Sequence, residues 1–114
     1  MASGEFVHVM TLAELPDGRM QSCEVAGREI VLCRVKGEVF ALDNVCTHAF
    51  ARMNEGRLRG TRLICPMHGA SFDVRNGAVL GAPATTPLVT HGVRIVDGAI
   101  EVAVDPNAPS PASL

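Results

Sequence analysis

The residues of this chain that could do chemistry fall into two short pairs of metal-ligand side chains. Cys46 and His48 form the first pair, and Cys65 and His68 form the second, with residues 49–64 between them. Thiolate sulfur and imidazole nitrogen are ligands that zinc and iron centres use in proteins. The two pairs therefore predict a metal centre held by two loops.

Two kinds of metal centre fit these four ligands. A tetrahedral Cys₂His₂ zinc site would stabilise a binding module, but zinc fingers usually place both cysteines in one pair and both histidines in the other. Here each pair mixes one cysteine with one histidine. Mixed pairs suit a binuclear centre in which each loop sends its cysteine to one iron and its histidine to the other, as in a Rieske [2Fe–2S] cluster.

Three segments of the sequence resemble the Rieske ferredoxins. They are Cys-Thr-His at 46–48, Cys-Pro-Met-His-Gly-Ala-Ser-Phe-Asp at 65–73, and Gly-Ala-Pro-Ala-Thr-Thr-Pro-Leu at 81–88. The third segment corresponds to the proline-containing loop that covers the cluster in that family. The resemblance implies a Rieske-like fold over essentially the whole ordered chain.

The resemblance also implies the cofactor, its ligands and the function. The cofactor would be one Rieske-type [2Fe–2S] cluster per chain, with Cys46 and Cys65 on the inner iron and His48 and His68 on the outer iron. The chain looks like the ferredoxin component of a bacterial aromatic-ring-hydroxylating dioxygenase system. It would be a one-electron carrier without catalytic residues, and therefore not an enzyme. Its partners would be a flavoprotein reductase and a terminal Rieske oxygenase.

Four positions predict a low reduction potential within the family. High-potential respiratory members resemble this chain but carry two further cysteines, joined in a disulfide, where Ala51 and Met67 stand here. They also carry hydroxyl groups that donate to sulfur, where this chain has Ala70 and Phe72. Hydrogen bonds to sulfur stabilise the more negative reduced state. We therefore expect a potential near the lower end of the Rieske range of about −150 to +300 mV.

Two other functions remain open at this point. The small subunit of a nitrite reductase resembles the same domain, although many members of that group lack the cluster ligands that this chain keeps. A zinc-stabilised binding module would use the same four side chains without a redox role. A zinc protein is colourless, whereas a Rieske cluster absorbs visible light.

Composition narrows the class of protein. The chain has 114 residues, of which 47% are hydrophobic, and this suits a single domain with its own core. A net charge of −2 argues against a nucleic-acid partner. The sequence shows neither a secretory signal nor an apolar run of about 18 residues, so we expect a soluble cytoplasmic protein without a membrane partner. Cysteines in that compartment are not expected to form disulfides.

The elements that must position the four ligands are mostly strands. Alternating or β-branched runs predict strands at 6–10, 28–35, 39–42, 93–96 and 99–104. Between the second and third of these, Lys36-Gly37-Glu38 predicts a hairpin turn, and Asp97-Gly98 predicts another between the last two. The fold class is therefore all-β.

The distribution of apolar alternation and of glycine and proline along the sequence predicts how this single domain is organised. Residues about 1–42 and 88–105 form a small antiparallel β-sandwich base, and residues about 43–87 form a loop-rich cluster-binding subdomain. The tail at 106–114 is expected to fray.

The remaining candidate residues receive ordinary structural interpretations. Cys23 and Cys33 are expected to be small buried hydrophobes, and His8 and His91 to be packing or surface residues. Asp73 is interpreted as a hydrogen-bonding turn residue.

A charge asymmetry predicts where partners dock. Residues 46–80 carry five arginines against Glu55 and Asp73, while the rest of the chain is acidic. A basic end around His48 and His68 would orient the molecule during encounter, and Arg52 is the arginine expected to take part.

Overall fold

The computed structural model describes residues 5–47, 51–67 and 69–110, and this part of the chain is built almost entirely from antiparallel strands. In chain order the strands are β1 (Val7–Thr11), β2 (Met20–Val25), β3 (Arg28–Val35), β4 (Glu38–Asp43), β5 (Arg57–Arg59), β6 (Arg62–Ile64), β7 (Ser71–Asp73), β8 (Val79–Gly81), β9 (Thr90–Val96) and β10 (Ala99–Ala103). Two 3₁₀ turns, Leu12–Glu14 and Met53–Glu55, accompany them. The all-β prediction is confirmed.

The strands form two sheets. The large sheet has the order β1-β10-β9-β4-β3-β2, and the small sheet has the order β5-β6-β7-β8. Every neighbouring pair in either sheet is antiparallel. The small sheet lies within the stretch predicted to be loops, and strands of three residues are too short for alternation to be visible in the sequence.

Both predicted hairpin turns have left-handed backbone at their two central residues. Lys36 and Gly37 have φ of 51° and 84°, and Asp97 and Gly98 have φ of 50° and 77°. Positive φ at both central residues is typical of type I′ turns, whose twist matches that of the paired strands. The turns join β3 to β4 and β9 to β10 in continuous register.

Strand β3 is buried on both faces and separates two hydrophobic clusters. Val31, Cys33 and Val35 point into a cluster shared with the small sheet, whereas Ile30 and Leu32 point into a cluster within the large sheet. This alternation follows from the two-residue period of a strand. The shared cluster fixes the small sheet against β3, and it also contains the two cysteines of the predicted metal centre.

The chain after β10 packs back onto the large sheet. The Arg28 guanidinium donates to the Pro109 carbonyl at 2.6 Å, and the Ala108 amide donates to the Asp105 carbonyl at 2.9 Å. Ala108 and Pro109 lie within the tail predicted to fray from residue 106, and the fraying itself stays a prediction. Residues 111–114 lie outside the described part. None of the helices described is long and apolar enough to cross a membrane.

Candidate metal centre

The first predicted ligand loop follows β4, and backbone hydrogen bonds join its two ends. The Cys46 amide donates to the Ala51 carbonyl at 2.9 Å, and Val45 pairs with Arg52 in an isolated antiparallel bridge. Cys46 is 1% exposed. Its partner in the sequence pattern, His48, lies outside the described residues.

Asn44 anchors this loop to the 3₁₀ turn that follows it. The Asn44 side-chain oxygen accepts from the Asn54 amide at 2.9 Å, and its side-chain nitrogen donates to Asn54 Oδ1 at 2.8 Å. The Asn44 backbone accepts from the Met53 amide at 2.6 Å and donates to the Glu29 carbonyl at 3.1 Å. A fully buried amide with all these partners sets the position from which the loop begins.

The second predicted ligand loop joins β6 to β7. The Cys65 amide donates to the Ala70 carbonyl at 2.7 Å and closes the loop. Within it, the Met67 amide donates to Cys65 Sγ at 3.4 Å, and Gly69 has a φ of 76°, which a residue with a side chain rarely adopts. The fourth predicted ligand, His68, lies outside the described residues.

The two loops bring the two cysteine side chains together. Cys46 and Cys65 are both buried in the shared cluster, and their thiol groups lie near enough to interact. Burial raises the pKa of the Cys65 thiol to about 11, the Met67 amide opposes that rise, and the Cys46 thiol adds to it. A bound metal would displace the thiol proton, since a coordinating thiol is deprotonated.

Cys46 and Cys65 fit the thiolate half of the ligand set of a mixed Cys/His centre. Two adjacent sulfur atoms at the ends of two loops can hold one iron, and the backbone amide of Met67 supplies the kind of donor that stabilises thiolate sulfur. The predicted histidine ligands follow Cys46 by two residues and Cys65 by three.

A third segment lies beside the first ligand loop. The Thr47 hydroxyl donates to the Thr86 carbonyl at 2.7 Å, within the proline-containing stretch at 81–88. Further along, the Leu88 amide donates to the Gly77 carbonyl at 3.0 Å. A Cβ at Gly77 would lie 2.0 Å from the Leu88 carbonyl oxygen, so this close approach requires glycine.

The four positions used to predict a low potential lie around these loops. Ala70 and Phe72 are fully buried in the cluster that contains both cysteines. Ala51 is also buried there, whereas Met67 is 43% exposed. None of these four side chains can donate a hydrogen bond to sulfur.

The structure reveals one buried ionic group that the sequence did not indicate. Asp43 accepts from Arg28 Nε and Nη2 at 2.6 and 2.7 Å, and its Oδ1 lies 2.8 Å from His91 Nε2. The Arg28, Asp43 and His91 side chains are 9%, 5% and 1% exposed. Burial raises the pKa of Asp43, but the hydrogen bonds from Arg28 and His91 outweigh it and hold that pKa below its usual value.

His8 and His91 were predicted to be packing or surface residues, and the structure shows which of the two each one is. His91 is a buried hydrogen-bonding residue that joins β9 to β4, whereas His8 is exposed. Cys33 is buried as predicted, whereas Cys23 is only partly buried. Burial raises the pKa of Cys33 to about 12 and that of Cys23 to about 11. Asp73 accepts from the Arg75 amide at 2.9 Å and pairs with its guanidinium, which suits the predicted turn role.

Arg52 is engaged within the molecule. Its Nε lies 2.8 Å from Glu29 Oε1, and both side chains are exposed. The ion pair offsets part of the charge on which the docking prediction for Arg52 depends, and that docking role stays a prediction. Glu29 lies 23 residues earlier in the chain, so its approach to Arg52 is not visible in sequence.

Comparison with known proteins gives a consistent set of relatives. The family model described as "Rieske [2Fe-2S] domain" matches residues 5–97. The chain is 41% identical over 91 residues to the ferredoxin component of a naphthalene 1,2-dioxygenase system from Pseudomonas aeruginosa, covering 80% of this chain and 88% of that protein. It is 42% identical over 97 residues to a 3-phenylpropionate/cinnamic acid dioxygenase ferredoxin subunit from Photorhabdus laumondii, covering 84% and 91%.

Solved structures agree in fold. The ferredoxin of carbazole 1,9a-dioxygenase from Nocardioides aromaticivorans IC177 superposes with a TM-score of 0.85 at 32% identity, covering 88% of this chain and 98% of that one. A chain in the complex of reduced oxygenase and oxidized ferredoxin of carbazole 1,9a-dioxygenase also gives a TM-score of 0.85, at 28% identity, covering 91% and 97%.

Proposed function

The chain belongs to the Rieske [2Fe–2S] domain family, and we propose from this that it carries single electrons to the terminal oxygenase of an aromatic-ring-hydroxylating dioxygenase system. The observation that carries the proposal is the pair of neighbouring, buried cysteines that two loops place in one cluster. The protein is not an enzyme on its own, since its relatives are ferredoxin components that serve a separate oxygenase.

The proposed ligands are Cys46 and Cys65 for one iron and His48 and His68 for the other, with one cluster per chain. When bound, the cluster supplies a centre that gains and loses one electron. The chain supplies the surroundings: a buried cluster of apolar side chains around both cysteines and a backbone N–H from Met67 to one sulfur. Such outer contacts tune the potential of a metal centre.

The remaining parts of the system follow from this role. A flavoprotein reductase is proposed as the electron donor and the oxygenase as the acceptor, because a carrier must be reloaded after each transfer. A cytoplasmic location and a low potential are also proposed, the latter because Ala70 and Phe72 offer no hydroxyl to sulfur.

Electron paramagnetic resonance of the dithionite-reduced protein tests the proposal. We expect a Rieske-type signal with a low average g value and a red-brown oxidised protein. Cys46→Ser and His68→Ala should each abolish the normal spectrum, whereas Cys23→Ala, a matched cysteine control away from both loops, should keep it. A colourless zinc protein without a signal, or loss of the spectrum in Cys23→Ala, would contradict the assignment.

A further inference from the structure

Four exposed arginines gather on one side of the molecule without carboxylate partners among the described residues. Arg57 and Arg59 project from the same face of β5, because they are two residues apart in a strand. Arg62 on β6 lies directly opposite Arg59 in the antiparallel register. Arg19, just before β2, lines the same groove as Arg57 and Arg59. We call these four residues the arginine surface.

Most other cations of the chain are engaged elsewhere. Arg28, Arg52, Arg75 and Arg94 form ion pairs with carboxylates, and Arg34 donates to backbone carbonyls. The arginine surface therefore concentrates most of the uncompensated positive charge in the described structure, on a chain whose net charge is −2.

The pairing of Arg59 with Arg62 across β5 and β6 destabilises the fold. Like charges directly opposite each other in an antiparallel pair repel, and Arg59 faces Arg62 in this way. Arg62 gains one contact, a donation to the Ser71 hydroxyl at 2.6 Å, but this leaves its charge unbalanced. The described residues offer no carboxylate that offsets this repulsion between Arg59 and Arg62.

Two connected grooves extend this charge to the predicted cluster site. A groove of about 410 Å³ between the two sheets is lined by Arg19, Arg57 and Arg59 and by no acidic residue. Arg57 and Arg59 also line a second groove of about 660 Å³, whose wall includes Cys65 and Gly69 and one acidic residue, Glu55. The positive surface thus runs up to the loop that carries two of the proposed ligands.

We propose that the arginine surface docks a carboxylate-rich surface of the terminal oxygenase, next to the Cys65 loop. This inference rests on the proposed function, and it specifies how the acceptor is recognised. Carboxylates are the expected counter-groups because they are the anions that a protein surface presents and the planar guanidinium group binds them through two parallel hydrogen bonds. The arginines are exposed along open grooves, which suits a protein surface rather than a small enclosed anion.

Electrostatic docking of this kind acts mainly on the association rate. Complementary charge raises the rate of encounter by about 10-fold to 10³-fold at low ionic strength, and salt screens the effect. The association rate constant should therefore fall with salt more steeply for the parent protein than for a variant without the arginine surface.

The test compares two double variants that remove equal charge. Arg57→Gln with Arg59→Gln removes two of the four charges of the arginine surface, and Lys36→Gln with Arg94→Gln removes the same formal charge from the β3–β4 turn and from β9. Purified terminal oxygenases of aromatic-ring dioxygenase systems are first screened for oxidation of the reduced parent protein, and stopped-flow absorbance then gives the second-order rate constant for both variants at several salt concentrations. Resonance spectra of both variants must match the parent, which shows that the cluster is intact.

We expect the arginine double variant to react about tenfold more slowly than the control at low salt, with the difference disappearing at high salt. Equal rates for the two variants would overturn the inference while leaving the proposed function intact. Slowing seen only in reduction by the reductase would also overturn it, because the docking partner would be the donor. Failure of every oxygenase to oxidise the parent protein would instead contradict the proposed function, and the inference with it.

Discussion

Replacing Asp43 by asparagine tests whether the buried ionic group holds the first ligand loop in place. Asp43 is the last residue of β4, three residues before Cys46, and its carboxylate binds side chains from β3 and β9. The substitution keeps the shape of the side chain but removes its charge and one acceptor oxygen. Arg28 is then left with its charge buried and uncompensated.

The expected loss is large because the group is buried. Removing one partner of a buried ion pair costs about 3–5 kcal/mol, since the remaining charge has been taken out of water without compensation. With a urea dependence of about 1–3 kcal/mol per molar for a small domain, the midpoint of unfolding should fall by roughly 2 M. His91, whose Nδ1 already lacks a hydrogen-bond partner among the described residues, loses strength in its Nε2 contact as well.

The assay is urea unfolding of the cluster-loaded protein, followed by far-UV circular dichroism and visible absorption. Glu29→Gln is the matched control, because it removes the same charge from the exposed pair with Arg52, and exposed pairs contribute little. Asp43→Asn should lower the midpoint much further than Glu29→Gln. Equal midpoints would refute the view that the Arg28–Asp43–His91 group stabilises the fold.

The same group gives a pH dependence with a defined sign. The pKa of Asp43 is held below its usual value in the folded state, so its contribution is present above the unfolded value of about 3.9. That contribution is lost as the pH falls through this value toward the lower folded pKa. The midpoint difference between the parent and Asp43→Asn should therefore shrink below about pH 4, and a difference that stays constant to lower pH would count against the ionic explanation.

Three further predictions concern the loops and the sheets. Gly77→Ala should destabilise the protein more than Gly18→Ala, measured by urea midpoint, because both glycines have positive φ but only at position 77 would the new Cβ clash, with the Leu88 carbonyl. Ala70→Ser combined with Phe72→Tyr should raise the midpoint potential in voltammetry, provided that a structure of the variant shows the hydroxyls in contact with sulfur; an unchanged or lower value would then refute the explanation of the low potential. After removal of iron, the large sheet should keep more hydrogen-exchange protection than the small sheet and its loops, and uniform loss of protection would contradict the predicted division into base and cluster-binding subdomain.

The parts of the fold that could be predicted from sequence are those fixed by local interactions. Two of the three hairpins of the large sheet followed from β-branched runs and from turn residues that accept left-handed backbone, Lys36-Gly37 and Asp97-Gly98. The four strands of the small sheet were missed because three residues give no visible period, and the pairing of β7 with β8 shifts register between Ser71 and Phe72. Their packing depends on the cluster shared with β3, which is a property of the assembled fold.

The candidate site also has a part that could be predicted from sequence and a part that could not, for a chemical reason. The ligands of a mixed thiolate and imidazole centre are cysteine and histidine, and a loop that holds two of them keeps them close in sequence, so the pairs beginning at Cys46 and Cys65 were visible at once. The group that anchors the first loop has no such restriction. Arg28 and His91 lie 15 and 48 residues from Asp43, and many other side chains could have served in their place. Ligand chemistry is therefore recorded locally in the sequence, whereas the support that positions the ligands arises only when distant strands meet.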